Sequence, residues 1–244
     1  MMVMTKRPST IAIDGPAASG KSTLGYYLAC ELNYLYLDTG VLYRAVTWAV
    51  LQKGIPIQDE AAITTLAEEL DMEVLPPTLE DGRQYTICVS GEDVTWAIRA
   101  PEIEKAVSPI SAYPGVRQAL TRQMRQIGEK GKVVMVGRDI GTVVLPDADL
   151  KLYVIASEET RAQRRLIDRH EQGEQTTYAA MLTDIRRRDT IDSSREAAPL
   201  CPAKDAIIFD NTLLSKEAMF EEAMKIIKAQ HQFTNNNLHD QHGA

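Results

Sequence analysis

The chain has 244 residues, 44% of them hydrophobic and 25% charged, which excludes disordered, collagen-like and low-complexity classes. A domain of that length buries roughly 70 to 75% of its unfolded surface, so a core can form without metal or disulfide staples. With 27 Lys and Arg against 34 Asp and Glu the net charge is −7, the wrong sign for a protein that lives on nucleic acid.

Met1 to Thr10 carry Lys6, Arg7 and Pro8 but no apolar run of signal-peptide length, and no run anywhere approaches the ~18 residues of a membrane span. A cytoplasmic protein is expected, with no membrane partner. Thr10 to Asp14 reads as a strand, a glycine-rich loop follows, and Leu24, Leu28 and Leu32 mark a helix over Ser22 to Asn33. Tyr34 to Asp38 is a second strand. Gly40 to Lys53 is a helix with Leu42, Val46 and Val50 on one stripe, ended by Gly54 and Pro56. Residues 60–70 are helical. Met72 to Thr95 then switches to short alternating strands with turn residues between them, a small β insert.

From Pro101 the helical pattern returns, with Val116, Leu120, Met124 and Ile127 as its core stripe and Gly128 to Gly131 as its end. Lys132 to Val136 and Leu150 to Ile155 are continuous apolar runs, as in strands covered on both faces. Helices over Glu158 to His170 and Tyr178 to Asp192, a strand over Ala206 to Phe209 and a helix over Lys216 to Ala229 complete the series. The last stretch, rich in Asn, Gln and His, reads as a flexible tail over 231–244. This alternation predicts an α/β fold, a parallel sheet flanked by helices, with its site at the carboxyl ends of the strands.

Composition narrows the chemistry. Cys30, Cys88 and Cys201 are too few and too scattered for a disulfide framework or a CxxC metal site. Three of the four histidines lie in the tail, leaving only His170, so histidine triads and His-rich metal sites are nearly excluded.

Gly15-Pro-Ala-Ala-Ser-Gly20-Lys21-Ser22 fits GxxxxGK[ST] in full, following a strand and opening a helix as a phosphate loop must. Its backbone N–H groups would cradle ATP phosphates, Lys21 would reach the β and γ oxygens, and the Ser22 hydroxyl would ligate Mg²⁺. There is no Asn-Lys-x-Asp guanine reader, which speaks against a GTPase. Asp210, after Ile-Ile-Phe, could be a motor ATPase's strand-end acid, but it reads better as a strand end or a cap. Eight of the sixteen arginines fall between Arg161 and Arg195, where there is no lysine. Planar bidentate clamping of phosphate favours arginine, whereas surface solvation is served equally by lysine. Arg161, Arg164 and Arg165 share one helix face, and Arg188, Asp192 and Arg195 another if the helix persists that far.

At this point the chain closely resembles the bacterial cytidylate kinases, P-loop nucleoside monophosphate kinases. The resemblance rests on IDGPAASGKST (Ile13 to Thr23), LDTGVLYRA (Leu37 to Ala45), GRDIGTVVLPDADLK (Gly137 to Lys151), RAQRR (Arg161 to Arg165) and RDTIDSSREAAPL (Arg188 to Leu200). It runs from about Ile11 to about Lys228, and implies transfer of the ATP γ-phosphoryl to CMP or dCMP with Mg²⁺. It implies one kinase domain over 1–230, with a monophosphate-binding insert over about 39–131 and a helical lid over about 158–176.

Carried over by residue, the resemblance makes Gly15, Pro16, Ala17, Ala18, Ser19, Gly20, Lys21, Ser22 and Thr23 the ATP loop, with Arg161, Arg164 and Arg165 closing over ATP. It sets Asp38, Thr39, Tyr43, Arg44, Arg138, Arg188 and Arg195 around the monophosphate, Ser108, Arg117 and Asp139 at the cytosine, and Asp192 at the ribose. Lys21, Arg138 and Arg188 are the expected catalytic cations. The family usually has an acid just before Gly-Arg-Asp, where this chain has Val136, so the metal falls to Ser22, Asp14 or water. Another small P-loop kinase, acting on UMP, shikimate or dephospho-coenzyme A, and an ATP-sensing module stay open as alternatives. The negative sum excludes extended nucleic acid as a partner, and a monomer is the default.

Overall fold

The strands, in chain order, are β1 (Thr10–Asp14), β2 (Leu35–Asp38), β3 (Met72–Leu75), β4 (Thr86–Val89), β5 (Glu92–Asp93), β6 (Val133–Gly137), β7 (Leu150–Ile155) and β8 (Ile207–Asp210). The helices are α1 (Lys21–Leu32), α2 (Gly40–Gln52), α3 (Glu60–Glu69), α4 (Pro101–Ala112), α5 (Pro114–Glu129), α6 (Glu158–Glu171), α7 (Tyr178–Ser193) and α8 (Lys216–His239). They are taken from a computed structural model that describes residues 7–171, 173–195 and 198–239, with side chains to residue 229.

β2, β6, β1, β7 and β8 form one sheet in that order, every pairing parallel. β1 is its middle strand because Ile11, Ala12 and Ile13 are all fully buried, as a strand covered on both faces requires. Leu24 and Leu28 of α1 are equally buried. Each such side chain removed from water stabilises the fold by about 1.5–3 kcal/mol. β3, β4 and β5 make a separate antiparallel sheet, where the alternating pattern of residues 72–95 placed it.

Two elements differ from expectation. The helical stretch from Pro101 is two helices, separated at Tyr113 (φ −65°, ψ 123°). Pro114 causes the break, since a residue before proline is driven out of the helical region. Tyr113 is tied down there by its hydroxyl, which donates to the Ile57 carbonyl at 2.7 Å. α8 continues past Ala229 to His239, and no glycine or proline lies between Lys216 and His239 to stop it. The expected flexible tail over 231–244 therefore overlaps this helix to residue 239, and its last five residues lie outside the described ones. Among the described residues no helix is long and apolar enough to cross a membrane.

Candidate active site

Because every strand of the large sheet runs the same way, Asp14, Asp38, Gly137 and Asp210 all fall at one edge, where loops rather than ladder partners continue. The loop after β1 turns through Gly20 at φ +95° and enters α1 directly, with no side chain capping the helix. A Cβ on Gly20 would stand 2.3 Å from Asn211 Nδ2, so the turn is closed to other residues by conformation and by space. The first N–H groups of α1 are left without intrahelical partners, and no acid stands in its first turn. That is the electrostatic form of an anion site.

Lys21 lies at the start of α1, 6% exposed, with Nζ folded back onto the Pro16 carbonyl at 3.0 Å. Burial, then the nearby Arg138, push its ammonium down to about 7, against the pull of Asp38, Asp192 and Asp14. Ser22 Oγ donates to Asp38 Oδ2 at 2.9 Å. Asp14 is engaged otherwise: it accepts the backbone N–H groups of Ile140 at 2.8 Å and Gly141 at 2.7 Å, and burial raises it to about 6. Val136 is fully buried, and a Cβ on Gly25 would meet its Cγ2 at 2.4 Å, so this side chain packs on α1. Asp14, the acid considered for the metal, is thus held by backbone N–H groups, and Asp38, expected around the monophosphate, is the carboxylate beside the Ser22 hydroxyl.

A cavity of about 500 Å³ opens above the loop, lined by Lys21, Ser22 and Thr23 on one side and Asn211, Leu214 and Met219 on the other. Arg164, Arg165 and Arg188 also reach it. Arg164 holds the Asn211 carbonyl at 2.8 Å and the Ser19 carbonyl at 3.3 Å. Arg161, expected over ATP with these two, is instead 4% exposed and bonded to Ala156, Ala17 and Asp189. Arg188 was expected around the monophosphate; it sits on this cavity, paired with Asp184 at 3.0 Å.

A second cluster lies on the β6 side. Asp139, 8% exposed, takes Arg117 Nη2 on Oδ2 at 2.6 Å, while the Arg117 guanidinium stands 5.7 Å over the Tyr43 ring. Burial pushes the Asp139 carboxyl up against the pull of Arg117, Arg195 and Arg138. Asp192 pairs with Arg138 Nε at 2.9 Å and with Arg195. Thr39 is buried and donates to the Val136 carbonyl through both its N–H, at 2.9 Å, and its hydroxyl, at 3.0 Å, fixing the end of β2 against β6. Arg44 is half-buried on α2. Ser108 is exposed on α4 and its hydroxyl bonds to neither Asp139 nor Arg117; its carbonyl accepts from Ser111 Oγ.

The cytidylate kinase family model matches residues 11–229. The chain belongs to the cytidylate kinase family. It is 50% identical over 220 residues to the cytidylate kinase of Herpetosiphon aurantiacus, covering 90% of this chain and 94% of that one. It is 44% identical over 220 residues to the cytidylate kinase of Bacillus subtilis, covering 90% and 95%. A crystal structure of an uncharacterised protein from Eubacterium ventriosum shares the fold alone, with TM-score 0.50 and 13% identity over 90% of this chain and 98% of that one.

Within this cytidylate kinase family member, sequence reasoning passed over Asn211 and Asp189. Asn211 donates from Nδ2 to the Ser19 carbonyl at 2.8 Å, and its Oδ1 is buried without a partner. It stands immediately past the end of β8, and position at a carboxyl strand end was the available signal. Asp189 was hidden inside an arginine-rich block, where it read as charge balance.

Proposed function

We propose that this chain transfers the γ-phosphoryl group of MgATP to CMP or dCMP, giving CDP or dCDP. The observation that carries this reading is the Asp139–Arg117–Tyr43 cluster on the acceptor side of a complete phosphate loop. Asp139 Oδ1 accepts no hydrogen bond from the described residues, and an amino donor can take it. Cytosine offers the N4 amino group to such a carboxylate and its N3 and O2 acceptors to an arginine. Uracil would set an acceptor against Asp139, and a site built for a specific donor discriminates strongly against the analogue lacking it.

The acceptor phosphate is mostly dianionic at neutral pH, since its second pKa is near ~6, so no general base is required and the scarcity of histidine is no obstacle. The protein has to align two anions, neutralise them and keep water away. Lys21, Arg164, Arg165 and Arg188 border the donor cavity. Arg138 and Arg195 are poised by Asp192, and a ribose hydroxyl donating to that carboxylate would free them toward the acceptor phosphate.

Ser22 keeps oxygen lone pairs beside the Asp38 carboxylate, an oxygen-only set suited to Mg²⁺. No group of three or more His, Cys, Asp or Glu able to hold a metal occurs among the described residues, as suits an ion carried in by the triphosphate. When bound, Mg²⁺ draws charge from the β and γ oxygens. Ser22 would hold it, with Asp38 behind.

A coupled assay offering ATP with CMP, dCMP, UMP, AMP and GMP tests the reading. Turnover concentrated on CMP and dCMP is expected, and turnover of none would leave a sensor module or a kinase with another kind of acceptor. Asp139→Ala should narrow the CMP to UMP ratio of kcat/KM by about tenfold or more. Equal losses on both substrates would remove Asp139 as the base reader.

A further inference from the structure

Arg161 is among the most buried cations of the protein, at 4% exposed. Its Nε donates to the Ala156 carbonyl at 3.0 Å and its Nη1 to the Ala17 carbonyl of the ATP loop at 3.3 Å. Both Nη groups also meet Asp189, at 2.9 Å and 2.6 Å, in a two-toothed pair. One guanidinium therefore ties the loop after β1, the start of α6 and the C-terminal part of α7.

The apolar contacts agree. Ala17, Ala162 and Ile185 form a small buried cluster separate from the main core, with Ala18, Met181 and Leu182 packed against it. The α6–α7 pair rests on the loop through this cluster and Arg161. Asp189 and Asp192 stand three residues apart on α7 and so share a face. Asp189 is held by Arg161, which also reaches the Ala17 carbonyl of the donor loop, and Asp192 is held by Arg138 and Arg195 at the acceptor cluster. α7 is thus anchored at both substrate sites by ion pairs less than one turn apart.

We propose that Asp189 is a positioning residue which, through Arg161, couples α7 to the ATP loop, so that filling the acceptor site raises affinity at the donor site. Asp189 touches neither substrate. When CMP engages Asp192 and its arginines, α7 settles in one position, and the Asp189–Arg161 pair carries that position to the Ala17 carbonyl. This rests on the donor and acceptor assignments proposed above.

The measurement is the affinity for a non-hydrolysable ATP analogue with and without saturating CMP, by titration calorimetry on the full chain. In the unmodified protein CMP should tighten the analogue by about fivefold or more, the lower end of common coupling between sites. In Asp189→Asn the carboxamide cannot meet both Nη groups as an acceptor. The factor should fall below about twofold, with each ligand's separate affinity within about threefold of the unmodified protein's. Arg161→Lys keeps the charge and loses the two-toothed geometry, so the same fall is expected; it replaces Asp189→Asn should that variant fail to fold. Retention of the full factor in the variant overturns the proposal, as does its absence from the unmodified protein. Parallel weakening of both separate affinities, with the factor unchanged, also overturns it and leaves a structural brace. No turnover of CMP by the unmodified protein would sink the substrate reading instead, and turnover with an unaltered factor sinks the coupling alone.

Discussion

Burial beneath the loop and the proximity of Arg138 bring Lys21 to about 7, where a free lysine would hold its proton far higher. Triphosphate beside Nζ reverses the balance, because opposite charge favours the ammonium. Bound protein therefore holds a proton that the free protein has partly lost above about pH 7, and ATP binding takes one up. The sign follows: affinity for ATP falls as pH rises through and beyond about 7. Calorimetry of ATP-analogue binding near pH 8 in buffers of different ionisation enthalpy should show net uptake approaching one proton, within a factor of ~2. Lys21→Arg, whose guanidinium stays charged at any such pH, should abolish the uptake. Uptake that persists in that variant would place the proton elsewhere.

The α6–α7 pair is held differently from the rest of the chain. The main core is continuous from β1 to α8, whereas the pair contributes Ala162 and Ile185 to a small separate cluster with Ala17, on which Ala18, Met181 and Leu182 pack. An element with so few buried apolar contacts belongs to the low end of local stability. Ile185→Ala removes the largest side chain of that cluster. It should speed amide hydrogen exchange across α6 and α7 by tenfold or more, about 1.4 kcal/mol of local opening, while β1, β6 and β7 keep their protection. Exchange rising equally in the central strands would show the pair to be part of the core. The arginines of α6 explain why its face was only half legible. Their i, i+3, i+4 spacing marked a shared face, and Arg164 and Arg165 both line the cavity above the glycine-rich loop. Spacing alone could not separate Arg161, which is turned under Ala17 by Asp189, a residue 28 positions away.

At the scale of the molecule, local chemistry was legible and long-range pairing was not. GxxxxGK[ST] after a β-branched run placed the loop and α1, since strand, turn and helix are consecutive. The break at Tyr113, which the helical reading from Pro101 missed, follows from the equally local effect of Pro114. The order of the sheet, with β6 and β7 flanking β1, depends on contacts across the fold that no periodicity encodes, and Asp139 and Arg117 were brought together only through the family resemblance, which set both at the cytosine. The charge of −7 belongs to this scale too. At physiological ionic strength the screening length is about 8 Å, so a nucleotide in the cleft senses the arginines beside it and little of the distant acids. A long polyanion must instead lie along the outer surface, where acids prevail and few phosphates can be neutralised. A fluorescently labelled twenty-nucleotide oligocytidylate at ~0.15 M salt should therefore show no anisotropy change up to about 100 μM protein, the tight end of non-specific binding being ~10⁻⁶ M. CMP, with the same base and one phosphate, should saturate turnover in the range of ~1 μM to 1 mM. Oligonucleotide binding in the low micromolar range would mean that a basic track runs outside the cleft, and that the sum of charges misrepresents the surface as well as the site.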